Sequence, residues 1–416
     1  MPASGGVAPQ ESDWIKHNAV LFDCVHLPWP VVLAEGTVRW PLVYYLAYYL
    51  PAAVVGKMAG YAAAQAALWA WSSLGVTLAC LWFARLTRLP VALAPLAFFS
   101  FAGLDIVGST LMQIPALHQP HEKLLLYPNE SWSRIWQFPG HFWMLAWAPG
   151  QALGGWLAAG LFLSSPKPLR AACVAFLFTC LLLWSPFALV GLCLLAFFLA
   201  WREGLEWPAQ GFAPLLALIL PIGVLMAFYA AKISPEAAAR FPKIPVDWFF
   251  RFHKGPGPVG SVLLLLLFVA FEFGIFLGFI RARFPKGTGE RNLADACGLA
   301  LICLLPVTVG DFNDLSMRAS VVPLFCLALL LARTAASAGF TPAVRRWFWL
   351  VILIGFLTPF VQLLHQGFHL ATRRYDPRTV PHQVSAVVNM ADGGFETFGA
   401  QYTGSTNSFF SKNLAR

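Results

Sequence analysis

The sequence predicts an all-α fold, a polytopic bundle of about ten transmembrane helices with interfacial helices on its outward side. Three observations predict it. Hydrophobic residues make up 58% of the chain and charged residues only 11%, against about 25% charged in an ordinary soluble domain, so there is too little charge to cover a soluble surface. The 17 Trp and 36 Phe suit helices that meet headgroups at two interfaces. Short loops rich in Lys and Arg separate the apolar runs. The net charge of +9 belongs to those loops. No basic cluster points to nucleic acid.

A span needs about 20 apolar residues, and runs of that kind fall near 61–84, 90–113, 141–163, 169–184, 185–201, 211–231, 258–280, 294–309, 317–334 and 347–366. The fourth and fifth form one apolar stretch broken at Ser185-Pro186, where proline removes a backbone donor and disfavours helix at the preceding residue. The segment 42–56, LVYYLAYYLPAAVVG, is short and aromatic and reads as interfacial or re-entrant. Three regions follow: an outward loop over 1–60, the helical bundle over 61–366 and an outward tail over 367–416. Seven of the eight cysteines lie inside apolar runs and no CxxC pair occurs, so they read as small apolar filler.

Orientation follows from the positive-inside rule. Arg85 and Arg88, Lys167 and Arg170, Arg202, the group Arg281, Arg283, Lys286 and Arg291, and the group Arg333, Arg345 and Arg346 all occupy alternate loops. That side is cytoplasmic. The opposite side receives 1–60, 114–140, 232–257, 310–316 and the tail. The opening MPASGGVAPQES lacks a basic n-region and an apolar h-region, so either an outward 1–60 has an upstream helix or a partner subunit as its anchor, which the regular basic loops favour, or the parity of the spans is shifted by one.

Polar residues in a membrane protein are functional candidates, and here they gather on the outward side. Asp13, Lys16, His17 and Asp23 stand in DWIKHNAVLFDCV; His118, His121, Glu122 and Lys123 in HQPHEK; Asp247, Arg251 and His253 in DWFFRFHK; Asp311, Asn313, Asp314 and Arg318 in DFNDLSMR. Asp105 sits within the second apolar run. Each has a plainer reading. The first segment is also an amphipathic interfacial helix with Trp14, Asn18, Leu21 and Val25 on one stripe. Proline interrupts HQPHEK, which favours a solvated loop over a metal site. In DFNDLSMR a helix N-terminus with Arg318 suits a phosphate, and an Asp–Arg pair at i, i+4 fits equally well.

The order of motifs resembles bacterial polytopic proteins of the GT-C glycosyltransferase type. An outward Asp-Trp helix is followed by YYLAYYLP, FSFAGLDIVG, WSRIWQFPGHFWMLAWAPGQALGGWL, LLWSPFALVGL and GDFNDLSMRAS. The resemblance covers about 13–333 and the closing QYTGSTNSFFSKNLAR. It implies sugar transfer from a polyprenyl-phosphate donor on the extracytoplasmic face, with Asp13 at the position of the acidic residue of the first outward loop and Asp23 as second candidate. The helix that precedes that loop in the type is absent from this sequence. Such chemistry needs a carboxylate base, positive charge where phosphate departs and aromatic surface for a sugar. Arg318 suits the second requirement. Trp132, Trp136 with the adjoining Gln137, Trp143 and Trp147 suit the third, and Asp105, His121, Glu122, Asp311, Asn313 and Asp314 complete the candidate binding set. Asp13, Asp311 and Asp314 carry oxygen ligands for a divalent metal, though no spacing requires one. A transporter or flippase of a lipid-linked glycan and a non-catalytic scaffold subunit remain alternatives.

Overall fold

The computed structural model describes residues 10, 13–35, 37–113, 130–203, 219–230, 246–248, 257–310, 313–337, 339–372, 385–387, 402 and 411. The chain is mostly helical. Among the described residues four helices are long and apolar enough to cross a membrane: Tyr61–Thr87, Pro186–Glu203, Val259–Arg283 and Pro342–Phe368. Several other apolar runs fold as shorter or broken helices.

Helix α1 spans Trp14–His26. Strands β1, Val32–Glu35, and β2, Val38–Pro41, form an antiparallel hairpin, with Val32 opposite Pro41. The interfacial stretch yields turns and a short helix α2, Leu50–Ala59, tied back to α1 by the Lys57 amine, which donates to Leu27 O at 2.7 Å. Helix α3, Tyr61–Thr87, stops at Arg88 in the left-handed region (φ 62°), just before Pro90. The expected span 90–113 divides into α4, Ala94–Phe99, and α5, Asp105–Gln113. The unwound backbone between them finds partners elsewhere: Leu104 N–H donates to Phe271 O (3.0 Å), and His141 N–H to Phe101 O (3.1 Å). The run 141–163 divides at Ala148-Pro149 into α6, His141–Trp147, and α7, Pro149–Ser164.

Helices α8, Arg170–Trp184, and α9, Pro186–Glu203, meet at Ser185, where the expected break falls; the Ser185 hydroxyl donates to Gln151 Oε1 at 2.5 Å. Next come α10, Ile219–Ala230, strand β3, Val246–Trp248, and α11, Gly257–Val269. A π turn over Ala270–Gly274 joins α11 to α12, Ile275–Arg283. The span expected at 294–309 is helix only as α13, Gly289–Cys303. Pro306 stops further helix, and Val307–Val309 forms β4, antiparallel to β3. These two small sheets correct the all-α expectation. The chain closes with α14, Asp314–Ala319, α15, Val321–Ala336, and α16, Pro342–Thr372.

The core forms where α3, α4, α7 and α15 meet. Phe98 packs edge-on against Trp156 with centroids 4.9 Å apart, and Phe83 packs against Phe98 (5.2 Å) and Phe325 (5.9 Å). Helix α15 is buried on all sides, from Val321 through Leu331, the pattern of a central helix. At one end of the fold the basic loops are knitted together. Arg281 and Arg291 reach Asp295 at 2.8 and 3.3 Å, and Arg202 also pairs with it. Arg333 joins Glu290 (3.1 Å) to Leu86 O (2.6 Å), and Lys167 and Arg170 hold Glu203.

Candidate functional site

Two polar centres lie inside the fold. The first is built on α1. Burial encloses Trp14, His17, Asn18, Asp23 and Val25 alike, so α1 is an inner helix, not the one-sided interfacial helix that its apolar stripe suggests. The reason is that α2, α3 and the segment 385–387 pack against it as well. Asp13 precedes the helix without capping it: its carboxylate makes no cap hydrogen bond and pairs with Lys16 at 2.9 Å, about one third exposed.

One turn further on, His17 is held at both ring nitrogens. Nε2 lies 3.1 Å from Trp147 O, which can only accept, so Nε2 carries the proton and Nδ1 accepts from the Tyr49 hydroxyl at 2.5 Å. Burial lowers the His17 pKa to about 4, against the pull of Asp13, and the ring is neutral at pH 7.

Arg318 approaches the same neighbourhood from α14. Its guanidinium donates to the Tyr45 hydroxyl (2.9 Å) and to Asp314 (3.0 Å), and lies over the Tyr45 and Phe187 rings. Its Nε is buried and has no hydrogen-bond partner. Tyr402, from the C-terminal tail, stacks on Tyr44 at 4.5 Å. Asp13 and Arg318 both act electrostatically on His17 and on Tyr402, so residues from opposite ends of the sequence converge on one cluster of rings. Trp143 and Trp147 add a stacked, half-buried pair at 5.6 Å, and the Trp147 carbonyl is the one that His17 grips.

Asp23 has another task. Both its oxygens accept backbone N–H groups, from Ala386 at 2.8 Å and Val387 at 2.9 Å, and it is fully buried. It anchors the tail to α1. Burial raises its pKa to about 6, with the backbone N–H groups of Val387, Ala386 and Ser385 opposing. Among the remaining candidates, Asn313 sits at φ 51° and caps α14 by accepting from Ser316 N (3.3 Å), while its amide donates to Ile135 O (3.0 Å). The α14 N-terminus is therefore occupied from within the chain, and Asp314 and Arg318 form the i, i+4 pair. Trp136 and Gln137 are buried beside it. The Trp136 indole donates to Leu305 O, and Gln137 N–H to the Ser316 hydroxyl. Trp136 thus packs into the interior, and Trp132 is buried likewise. His121, Glu122 and Asp311 lie outside the described residues, as do His118, Lys123, Arg251 and His253.

The second centre contains Asp105. The break before α5 makes it the first residue of a helix, and the π turn brings Glu272 opposite it. Glu130 joins them; all three are at most 1% exposed. Asp105 therefore does not share the tyrosine cluster with Asp13 and Arg318. Glu130 carries no signal in the sequence, standing in the outward segment 114–140 outside every motif singled out there. The tyrosines and Tyr402 were equally silent, being ordinary aromatic residues of an interface and a tail. Among the described residues no group of three or more His, Cys, Asp or Glu side chains is arranged to hold a metal ion. No family model, curated protein or solved structure matches the chain, so function is argued from these two centres.

Proposed function

We propose that the chain is an integral membrane glycosyltransferase that moves a sugar from a polyprenyl-phosphate donor to an acceptor on the extracytoplasmic face of a bacterial inner membrane. The observation that carries this reading is the convergence of Asp13 and Arg318 on one ring-lined centre, with Arg318 Nε buried and unpartnered. A donor with no partner in a buried site is costly to leave unmet, and a phosphate oxygen meets it.

The roles follow from position. Asp13, partly exposed and paired only with a neighbouring lysine, takes the proton from the acceptor hydroxyl as the new bond forms. Arg318 faces the departing phosphate, its geometry fixed by Asp314 and Tyr45. Neutral His17 holds Tyr49 and the Trp147 backbone in place. The Trp143–Trp147 pair offers the sugar an aromatic face.

The polytopic arrangement of about ten spans, and its orientation, belong to the same proposal. The knitting of Arg202, Arg281, Arg291 and Arg333 with Asp295 and Glu290 at one end supports a single basic, cytoplasmic side. A transporter of a lipid-linked glycan is the second reading, favoured by the carboxyl group of Asp105, Glu130 and Glu272. Purified full-length chain in vesicles, supplied with a radiolabelled polyprenyl-phosphate sugar, tests the first. Labelled acceptor supports transfer. Movement of intact donor between leaflets, without transfer, supports the transporter.

A further inference from the structure

The carboxyls of Asp105, Glu130 and Glu272 come from three separate segments. Each is drawn in by a local device. Asp105 follows the unwound stretch whose Leu104 N–H is taken by Phe271 O, and Phe271 lies in the π turn that carries Glu272. Gly103 allows Glu272 to lie flat on the backbone: a Cβ there would stand 2.1 Å from Glu272 Oε2. Gly140 does the same for Glu130, donating its N–H to Oε1 at 3.0 Å where a Cβ would stand equally close. Glu272 Oε1 accepts from the Trp132 indole at 2.8 Å.

The other oxygens are left over. Both oxygens of Asp105, Glu130 Oε2 and Glu272 Oε2 are buried without a hydrogen-bond partner, although Asp105 and Glu272 face each other within hydrogen-bonding reach. An independent group points the same way. The Thr358 hydroxyl, on α16, is directed at Asp105, is 1% exposed, and has no well-aligned partner of its own. Among the described residues no Lys, Arg or His bears on any of the three carboxyls, whose electrostatic neighbours are one another. Of the histidines on elements packed nearby, His141 turns Nδ1 to Phe98 O, and His365 lies two turns beyond Thr358 on α16.

Three buried carboxylates that act on one another, two of them within hydrogen-bonding reach and with no cation beside them among the described residues, cannot all be ionised. We propose that Asp105, Glu130 and Glu272 form a proton-binding site, in which no more than one of the three is ionised at neutral pH and the unpartnered oxygens share the bound protons with each other and with Thr358. The ligand is the proton itself. The π turn, a form of helix common at functional sites, carries Glu272 and Phe271.

Infrared spectroscopy of the intact chain in lipid nanodiscs, at about pH 8, reads this directly, since ordinary carboxyls and Asp23 are ionised there. The wild type shows the carbonyl stretch of a protonated carboxyl, and the band shrinks in Asp105→Asn and Glu272→Gln. Adding sodium, magnesium or calcium leaves it unchanged. The amide variants mimic the neutral acid, so their unfolding midpoints equal or exceed that of the wild type at the same pH. Absence of the band in the wild type overturns the proposal whatever the variants do. Loss of the band on adding one of the cations also overturns it, and identifies a cation site instead.

Discussion

His17 and Asp23 lie two turns apart on α1 and respond to acid in opposite directions. Burial holds the folded His17 pKa near 4, against 6.5 for the free side chain. Between those values the unfolded chain binds a proton at this position and the folded chain does not, so stability falls as pH falls through that window. Asp23 is the reverse case, with a folded pKa near 6 against 3.8. Between those values the folded chain holds the extra proton, and stability rises as pH falls. Each shift is a little over two pKa units, worth about 3 kcal/mol at 1.36 kcal/mol per unit. The two effects offset one another from about pH 6 to about pH 4, so His17 and Asp23 together add almost nothing to the slope of the unfolding midpoint across that range; proton retention by Asp105, Glu130 and Glu272 adds a rise on acidification that wild type and variants share. Single variants expose each half. His17→Gln removes the loss, so its midpoint climbs relative to the wild type on acidification. Asp23→Asn removes the gain, so its midpoint falls relative to the wild type; it also starts lower, because one backbone N–H of Ala386 or Val387 loses its acceptor, at a cost of about 1–3 kcal/mol. The assay is the apparent unfolding midpoint of purified protein in detergent, stepped through pH. Parallel profiles for wild type and both variants would refute the reasoning.

Arg318→Lys keeps the charge but loses the planar fork shared between Tyr45 and Asp314, so sugar transfer should be partly retained, with Arg318→Ala lower still in the same assay. Gly191→Ala places a Cβ 1.8 Å from the backbone carbonyl oxygen of Ala319; α9 and α14 must separate, and an unfolding midpoint equivalent to a loss of about 1–3 kcal/mol or more is expected. A single cysteine at position 286, on the end where the basic loops are knitted, should resist an impermeant thiol reagent in intact cells and react once the membrane is permeabilised.

Long apolar runs were legible because composition alone decides them: the run read at 61–84 is helix Tyr61–Thr87, and Ser185-Pro186 breaks its stretch where proline chemistry says it must. The failures have a common cause. Hydropathy counts residues and is blind to backbone partners elsewhere in the chain. Nothing local in 100–104 announces that Leu104 N–H will pair with Phe271 O, so one span became two short helices. Likewise the continuation of α13 gave way to a strand because β3, some sixty residues earlier in the sequence (Thr308 Oγ1 donating to Asp247 O, |i−j| 61), was there to pair with it. At the candidate site, the charged members Asp13 and Arg318 stood out in the sequence. Their shared setting of Tyr45, Tyr49 and Tyr402 did not, since it exists only once the ends of the chain meet. Asp23 looked catalytic and Glu130 drew no reading at all for the same reason: a carboxylate's role is set by what surrounds it, and here that is a tail in one case and two other carboxyls in the other.

The central claim is that Asp13 accepts the proton of the acceptor hydroxyl. Asp13→Asn preserves size and most hydrogen bonding while removing that capacity. Turnover with a polyprenyl-phosphate sugar donor, measured beside wild type under identical conditions together with donor binding, tests it most directly. The account predicts a fall of about 10²-fold or more in turnover with donor affinity largely kept. Wild-type turnover in Asp13→Asn would contradict it.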